Sequence, residues 1–330
     1  MNEPATQTGA LGFFNRQGAD PIARMLGLFL PLATILLMVL FATQSDAFLT
    51  LANLRGITLQ SAATIVLAVP TALLLMSAGI DLSIGSTVAV AGVMAGIFWQ
   101  QDLIWAGLAA GLAAGLVIGL VNGSLVSLAG LNPIVVTLGT LAIGRGIAQV
   151  FADNPIFDFP EPVVAFGAGS TLEIPNLVWV AIVVVVLGMI VLNRLPYGKH
   201  LIAVGVNERA AYLAGLRVKM IKLSLYVATG LGAAIAGIML AARFNSAPGG
   251  TLGVGTELFV LTAVLLGGVP FTGGQGAIWR VVIGVLLLGI LRNGMVLLNF
   301  SSESAQIVLG SVLIIAAALE LVRQRLYRKQ

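Results

Sequence analysis

The side chains of this chain that could do chemistry are few and of one kind. Asp81 stands with Ser83 and Ser86 in "LLLMSAGIDLSIGS", Leu73–Ser86, where an apolar tract running from about Gly56 to Phe98 turns polar. Thr87, Asn122, Thr137, Thr140 and Asn293 lie in other apolar runs, and Gly273 and Gly274 sit in "LLGGVPFTGGQG", from Leu265. Hydroxyls and carboxamides donate and accept hydrogen bonds without carrying a fixed charge, which suits weak, reversible contact with a neutral polar group. Bond-making chemistry is poorly served. Cysteine is absent and His200 is the only histidine, which removes thiol nucleophiles, disulfide frameworks and nearly all transition-metal ligand sets. No cofactor, metal site or catalytic residue is expected, and a membrane-embedded enzyme is disfavoured.

These groups must be positioned by elements that live in lipid. Of 330 residues, 58% are hydrophobic and 9% charged, far below the roughly 25% charged of soluble domains. Several apolar runs reach the ~20 residues that a helix needs to cross a hydrocarbon core of about 30 Å. They are continuous rather than alternating, so the expected fold is an all-α, polytopic membrane protein. Candidate spans start near Ile22, Leu54, Leu82, Leu103, Pro133, Pro175, Met220, Glu257, Ala277 and Ser304. The Pro133 stretch carries Arg145 and the Glu257 stretch is short, so either could be re-entrant, which leaves about ten crossings or about eight.

Loop charge sets the orientation. "DNPIFDFPEPVVAFGAGSTLEIP", Asp153–Pro175, carries Asp153, Asp158, Glu161 and Glu173 with no Lys or Arg, and is expected outside. The stretch Asn193–Lys222 carries Arg194, Lys199, Arg209, Arg217, Lys219 and Lys222, and is expected inside. Arg16, Arg24 and the basic tail from Arg323 place both termini in the cytoplasm as well. The expected layout is a cytoplasmic segment 1–21, a transmembrane domain 22–322 containing a cytoplasmic loop 196–219, and a cytoplasmic tail 323–330. Basic residues cluster at span ends rather than among aromatics, so no nucleic acid is implied.

Two stretches read as helix breaks, near 77–86 and 267–276. Gly79 could take positive φ to end one helix, while Asp81 or Ser83 caps the first free amides of the next. Such a break is either a tight turn at the membrane surface or a discontinuous helix along a polar pathway, and an acid near the membrane favours the pathway. The glycine-rich stretch after Leu265 poses the same choice. A phosphate-binding loop fails there because no Lys-Ser or Lys-Thr pair closes it. Gly198-Lys199 lacks the upstream glycine, so an ATP-driven cycle would need another subunit. Among charges in or near the spans, Glu257 and Arg280 read as snorkelling near span ends, whereas Arg145 and Arg292 are harder to explain that way. Gly107, Gly111, Gly115, Gly119 and Gly123 recur every four residues and read as close packing within one subunit, in preference to a seam between two subunits.

The basic loop contains "NERAAYLAGLRV", Asn207–Val218, which opens with a cap at Asn207 and sets Ala210, Leu213, Ala214 and Arg217 toward one face of a short surface helix. Its small residues suit docking against protein better than anchoring in headgroups.

Together "GIDLSIGS" at Gly79, "NGSLVSLAGLNPIVVTLGTLAIGRG" at Asn122, "GVNERAAYLAGLRV" at Gly205, "LLGGVPFTGGQG" at Leu265 and "LRNGMVLL" at Leu291 resemble permease subunits of bacterial ATP-binding cassette monosaccharide importers, the branch with ribose, xylose, arabinose and galactose permeases. The resemblance runs from about Asn53 to Glu320. It implies a multi-pass protein of the bacterial inner membrane in which two permease subunits, expected to be a homodimer, form the pore. Separate cytoplasmic ATPase subunits would drive it and a periplasmic sugar-binding protein would deliver a monosaccharide. Asn207, Glu208, Ala210, Ala211, Leu213, Ala214 and Gly215 would form the helix that couples to the ATPase. Asp81, Ser83, Ser86, Asn122, Thr137, Thr140, Gly273, Gly274 and Asn293 are the candidates for the translocation pathway. The family usually has a glycine pair where this chain has Ala78-Gly79, and commonly Ser or Thr where it has Pro270. An ion-coupled secondary sugar transporter is the alternative.

Overall fold

The computed structural model describes residues 21–328, so Arg16, most of the N-terminal segment and the last two residues of the basic tail lie outside the described residues. The described chain is almost entirely helical. In order, the helices are α1 (Pro21–Gln44), α2 (Leu51–Met76), α3 (Ile84–Trp99), α4 (Ile104–Gly123), α5 (Pro133–Phe151), α6 (Glu161–Ala168), α7 (Asn176–Asn193), α8 (Pro196–Val206), α9 (Glu208–Leu213), α10 (Val218–Phe244), α11 (Thr256–Leu266), α12 (Ile278–Leu297) and α13 (Ser302–Arg328). Six stretches among the described residues are long and apolar enough to cross a membrane: α2, α4 with its extension to Leu128, α5, α7, α10 and α12. Shorter apolar helices occupy Leu30–Gln44, Ile84–Trp99, Thr256–Leu266 and Glu303–Ala318. The Pro133 stretch is therefore a 19-residue helix of spanning length, while the Glu257 stretch holds a helix of only 11 residues.

Local sequence explains where these helices start. Asn132 accepts hydrogen bonds from the amides of Ile134 and Val135, and Pro133 occupies the first turn, where its missing N–H costs nothing. Thr50 likewise accepts from the Asn53 amide at the start of α2. α4 does not stop at Gly123 but runs on as one π-helical turn, Ser124–Leu128, which nothing in the residue pattern announces.

Burial divides the helices into a centre and a periphery. In the most apolar window of α2, 83% of residues are buried, against 17% in α5 and in α7, so α2 is central and α5 and α7 present broad faces outward. α10 lies beside α2 at the centre and packs along α4 on the glycine stripe. A methyl group on Gly115 would collide with the Gly230 carbonyl, and one on Gly119 would come within 2.7 Å of the Tyr226 carbonyl oxygen. The stripe is thus used within one subunit, where only hydrogen lets the two backbones approach so closely.

Two small strand pairs fasten the acidic loop. β1 (Ile156–Phe157) pairs with β4 (Ser246–Ala247) just past α10, and β2 (Ser170–Thr171) pairs with β3 (Ile174–Pro175). Asn245, left-handed at φ 47°, ends α10 and accepts from the Phe159 amide at 2.9 Å. The acidic and basic loops lie at opposite ends of the 18-residue α7, about 27 Å apart along its axis.

Candidate functional site

Both expected helix breaks exist. α2 stops at Met76 and α3 begins at Ile84, while α11 stops at Leu266 and α12 begins at Ile278. The first break differs in one respect from the expectation: Ala78, not Gly79, takes the left-handed conformation, at φ 60°. The reason is the register of the helix end. The Ala78 amide donates to the Leu75 carbonyl and the Gly79 amide to the Leu74 carbonyl, the paired bonds of a Schellman terminus, which puts the left-handed residue one position earlier.

Asp81 sits in that break as the centre of a buried hydrogen-bond network. Its Oδ1 accepts from the Ser83 amide at 2.9 Å and the Ser83 hydroxyl at 2.6 Å, and its Oδ2 accepts from the Thr229 hydroxyl at 3.2 Å. Asn122 donates to Ser83 Oγ at 2.8 Å and accepts from the Thr140 hydroxyl at 2.6 Å. Ser86 and Thr87 return their hydroxyls to the Ser83 carbonyl, each at 3.0 Å, and Tyr226 donates to the Ile80 carbonyl at 3.0 Å. The break, α4, α5 and α10 are thereby tied at one point. Asp81, Ser83, Ser86, Thr87, Asn122 and Thr229 are all buried, and the low dielectric there strengthens every bond while raising the cost of leaving any unmade.

The other pathway candidates lie elsewhere. Thr137 is buried on α5 and donates to the Pro133 carbonyl of its own helix, outside the network. Asn293 forms a reciprocal amide pair with Asn53, at 3.0 and 2.8 Å. Asn53 lies in the first turn of α2, the opposite end from Met76 and roughly 35 Å away along the helix. Asn293 and Asp81 therefore do not share a site.

Gly273 and Gly274 bring the second break against the first. Both have positive φ, near 72° and 79°, and the Gly274 amide donates to the Met76 carbonyl at the end of α2, 2.8 Å away. A side chain on Gly273 would come within 2.6 Å of the Ala78 amide nitrogen. Gly205 of α8 is wedged beside them, since a methyl group there would collide with the Met76 carbonyl oxygen and lie 2.6 Å from the Gly274 nitrogen. Helix α8 thus touches both breaks at once.

The neighbouring α9 is short and well bounded. Asn207 caps it, accepting from the Ala210 amide at 2.9 Å. Gly215 at φ 85° closes it, with Leu216 donating to the Ala211 carbonyl and Gly215 to the Tyr212 carbonyl. The helix ends at Leu213, so Arg217 belongs to the start of α10 instead of extending its face. Ala211 anchors it inward, while Ala210, Leu213, Ala214 and the ring of Tyr212 stay exposed. Glu208 pairs with Lys222 at 2.6 Å, fixing α9 to α10. The Tyr197 phenol fixes α8 to the same helix through Ser224 Oγ at 2.6 Å and the Ile221 carbonyl at 3.2 Å. Burial pushes that phenol above its ordinary pKa and the Ser224 contact works against the rise, so at neutral pH it stays a hydrogen-bond donor.

A family described as branched-chain amino acid transport system / permease component matches residues 53–317, a stretch that includes both breaks, the network and α9. The chain belongs to this permease family. The permease is 36% identical over 283 residues to the L-arabinose transport system permease protein AraH of Escherichia coli, covering 85% of this chain and 86% of that one. It is 33% identical over 301 residues to the D-allose transport system permease protein AlsC of Escherichia coli, covering 89% and 90%. It is 35% identical over 305 residues to the ribose import permease protein RbsC of Bacillus subtilis, covering 91% and 94%. No solved structure matches it. The permease is an all-α, multi-pass membrane protein.

Sequence reasoning missed the contribution of α10. Thr229 and Tyr226 reach the break from 148 and 146 residues away along the chain, and no spacing signal joins them to Asp81. Nor did it find the surroundings of Glu257. That residue is at a helix end, as expected, but the end is inside the bundle, where its Oε2 lies against Gly85 with no hydrogen-bond partner.

Proposed function

We propose that this chain is the membrane subunit of an ATP-binding cassette importer in the bacterial inner membrane, moving a monosaccharide of the arabinose, allose or ribose type. Two copies would form the pathway, a periplasmic binding protein would deliver the sugar, and separate ATPase subunits would supply the energy. The observation that carries this reading is the similarity to three sugar permeases at 33–36% identity over 85–91% of the chain. The absence of a nucleotide-binding loop in the chain agrees with ATP hydrolysis on another subunit.

In this reading residues 22–322 form the membrane domain, the loop 196–219 carries the coupling helix, and segments 1–21 and 323–330 are cytoplasmic. Asn207, Glu208, Ala210, Ala211, Leu213, Ala214 and Gly215 seat on the ATPase, with Tyr212 and Leu213 as the apolar contacts and Arg209 and Arg217 at the rim. Movement of α9 reaches the membrane through α8, because Gly205 abuts Met76 and Gly274, the ends of both helix breaks. Asp81, Ser83, Ser86, Asn122 and Thr140 shape the pathway by holding the first break in place, and Gly273 and Gly274 do the same for the second. Asn293 holds α12 against the start of α2 through Asn53, and Thr137 stays within α5.

Reconstitution tests it. The permease, its ATPase and its binding protein in proteoliposomes should accumulate one of L-arabinose, D-allose or D-ribose only when ATP and the binding protein are both present. Uptake driven by a sodium or proton gradient without the ATPase would overturn the reading in favour of a secondary transporter. Uptake and ATP hydrolysis that remain coupled after Tyr212→Asp and Leu213→Asp would sink the role of α9.

A further inference from the structure

We propose that the cavity between α9 and the first turn of α10 binds the headgroup phosphate of an anionic phospholipid, with an acyl chain running along α4. The proposal rests on the transport reading only for sidedness: that reading puts this end of the helices in the cytoplasm, beside the inner leaflet.

The lining carries unbalanced charge. The cavity holds about 590 Å³, and Arg209 of α9 lines it together with Arg217 and Lys219 at the start of α10. Glu208 is the one acid in the lining, and its carboxylate is already held by Lys222 at 2.6 Å. Among the described residues Arg209 and Arg217 make no ion pair, and Lys219 reaches the Leu128 carbonyl at 3.4 Å. All three cations are exposed. Like charges around one cavity repel one another, and a phosphate that accepts from two or three of them replaces that repulsion with charge-assisted hydrogen bonds. The first turn of α10 adds the positive end of a 27-residue helix.

Location selects lipid. Lys219 stands in the first turn of one helix of spanning length and touches Leu128, the last residue of another, so the cavity lies where two crossings leave the hydrocarbon. The rest of its wall includes Tyr212, Leu216 and Met220, an apolar surface beside cations that suits the headgroup boundary. Farther into the membrane along α4, Leu120, Val121, Ser124 and Leu125 line a groove of about 310 Å³ that is almost entirely apolar. From Leu128 to Leu120 the helix descends about 12 Å, the direction an acyl chain takes from a headgroup at Lys219. Ala210, Leu213 and Ala214, assigned above to the ATPase, do not line the cavity, so lipid and ATPase use different faces of α9. A second copy of this face would bring three more cations and could not balance it.

Native mass spectrometry of the delipidated, detergent-solubilised chain tests this without a transport assay. The first phosphatidylglycerol should bind at least about tenfold more tightly than phosphatidylethanolamine, since each cation beside an anionic headgroup is worth about fivefold. Arg217→Gln alone should cost about fivefold, and Arg209→Gln with Arg217→Gln and Lys219→Gln should abolish the preference without lowering the Tm. Arg194→Gln with Lys199→Gln, exposed in the same basic loop but outside the cavity, should leave it within about twofold. A short-chain phosphatidylglycerol should bind at least about tenfold more weakly than the long-chain lipid, because it leaves the α4 groove empty. No preference between the two headgroups, or equal losses in the two sets of variants, overturns the site. Displacement by millimolar inorganic phosphate, with short and long chains binding alike, assigns the cavity to a free anion and overturns the lipid. A triple variant that keeps the lipid preference but no longer co-purifies with the ATPase gives the cations to the protein partner and likewise overturns it. Failure of sugar import on reconstitution would sink the transport reading and leave these binding results standing.

Discussion

Substitution of Asp81 separates what its shape does from what its charge does. In Asp81→Ala the Ser83 amide loses its only acceptor, at 2.9 Å, where both residues are buried. The Ser83 hydroxyl loses its 2.6 Å acceptor but keeps the donor Asn122, and Thr229 falls back on the Tyr226 carbonyl at 2.8 Å. One orphaned buried amide costs about 1–3 kcal/mol and the hydroxyl about 1 more, so the variant should lose roughly 2–4 kcal/mol. In Asp81→Asn the retained oxygen still accepts from Ser83, and the new NH₂ can donate to Thr229 Oγ1, whose own proton goes to Tyr226. That variant should stay within about 1 kcal/mol of wild type.

The assay is thermal unfolding of the purified, detergent-solubilised chain followed by tryptophan fluorescence. Asp81→Ala should lower the apparent Tm by about 5 °C or more, and Asp81→Asn by no more than about 2 °C. Asn122→Ala combined with Asp81→Ala should cost less than the sum of the two, because both act through Ser83. Equal losses for Asn and Ala would refute the reasoning, since they would mean that the negative charge, not the acceptor geometry, holds the break.

Ala78→Gly should raise stability by about 1 kcal/mol in the same assay, because Ala78 occupies a left-handed position that glycine adopts without a Cβ clash. Gly115→Val should prevent α4 from seating on α10, and a folded monodisperse peak on size-exclusion chromatography would contradict the close approach to Gly230. Asn293→Leu should cost about 1–3 kcal/mol by orphaning Asn53, and Asn53→Leu with Asn293→Leu should recover most of it, as read from Tm. Asn207→Ala should weaken α9 by about 1 kcal/mol and reduce sugar-stimulated ATP hydrolysis in the assembled importer, leaving the Tm of the whole chain nearly unchanged.

How much of this was legible in the residues depended on whether the signal was local. The Asn207 cap, the start of α5 near Pro133, the glycine stripe and the two breaks are all written in residues a few positions apart, and all are present. The handedness of the first break was misplaced by one residue because Schellman geometry depends on which carbonyl the turn returns to, and side-chain identity favoured glycine. The assembly of Asp81 with Thr229, and of Asn53 with Asn293 across 240 residues, could not be read, since burial of a lone polar residue predicts that it has a partner but not which one. Glu257 was misjudged for a related reason. A short apolar helix suggests a nearby membrane surface, but here a run of turns before the helix packs against α3 and α5, so the helix begins inside the bundle.

How completely the buried polar groups are satisfied bears on how a permease can hold and release cargo. A hydrogen-bonding group serves a passing solute only if it has capacity left over in the resting structure. Asp81, Ser83 and Asn122 each find partners within the subunit, so recruiting them would first break bonds worth more in that low dielectric than the new ones return. Glu257 Oε2 does lack a hydrogen-bond partner, but it is sealed against Gly85, so a solute could reach it only if the start of α11 moved away from α3. The polar residues that are easiest to notice in the sequence therefore hold the machine together.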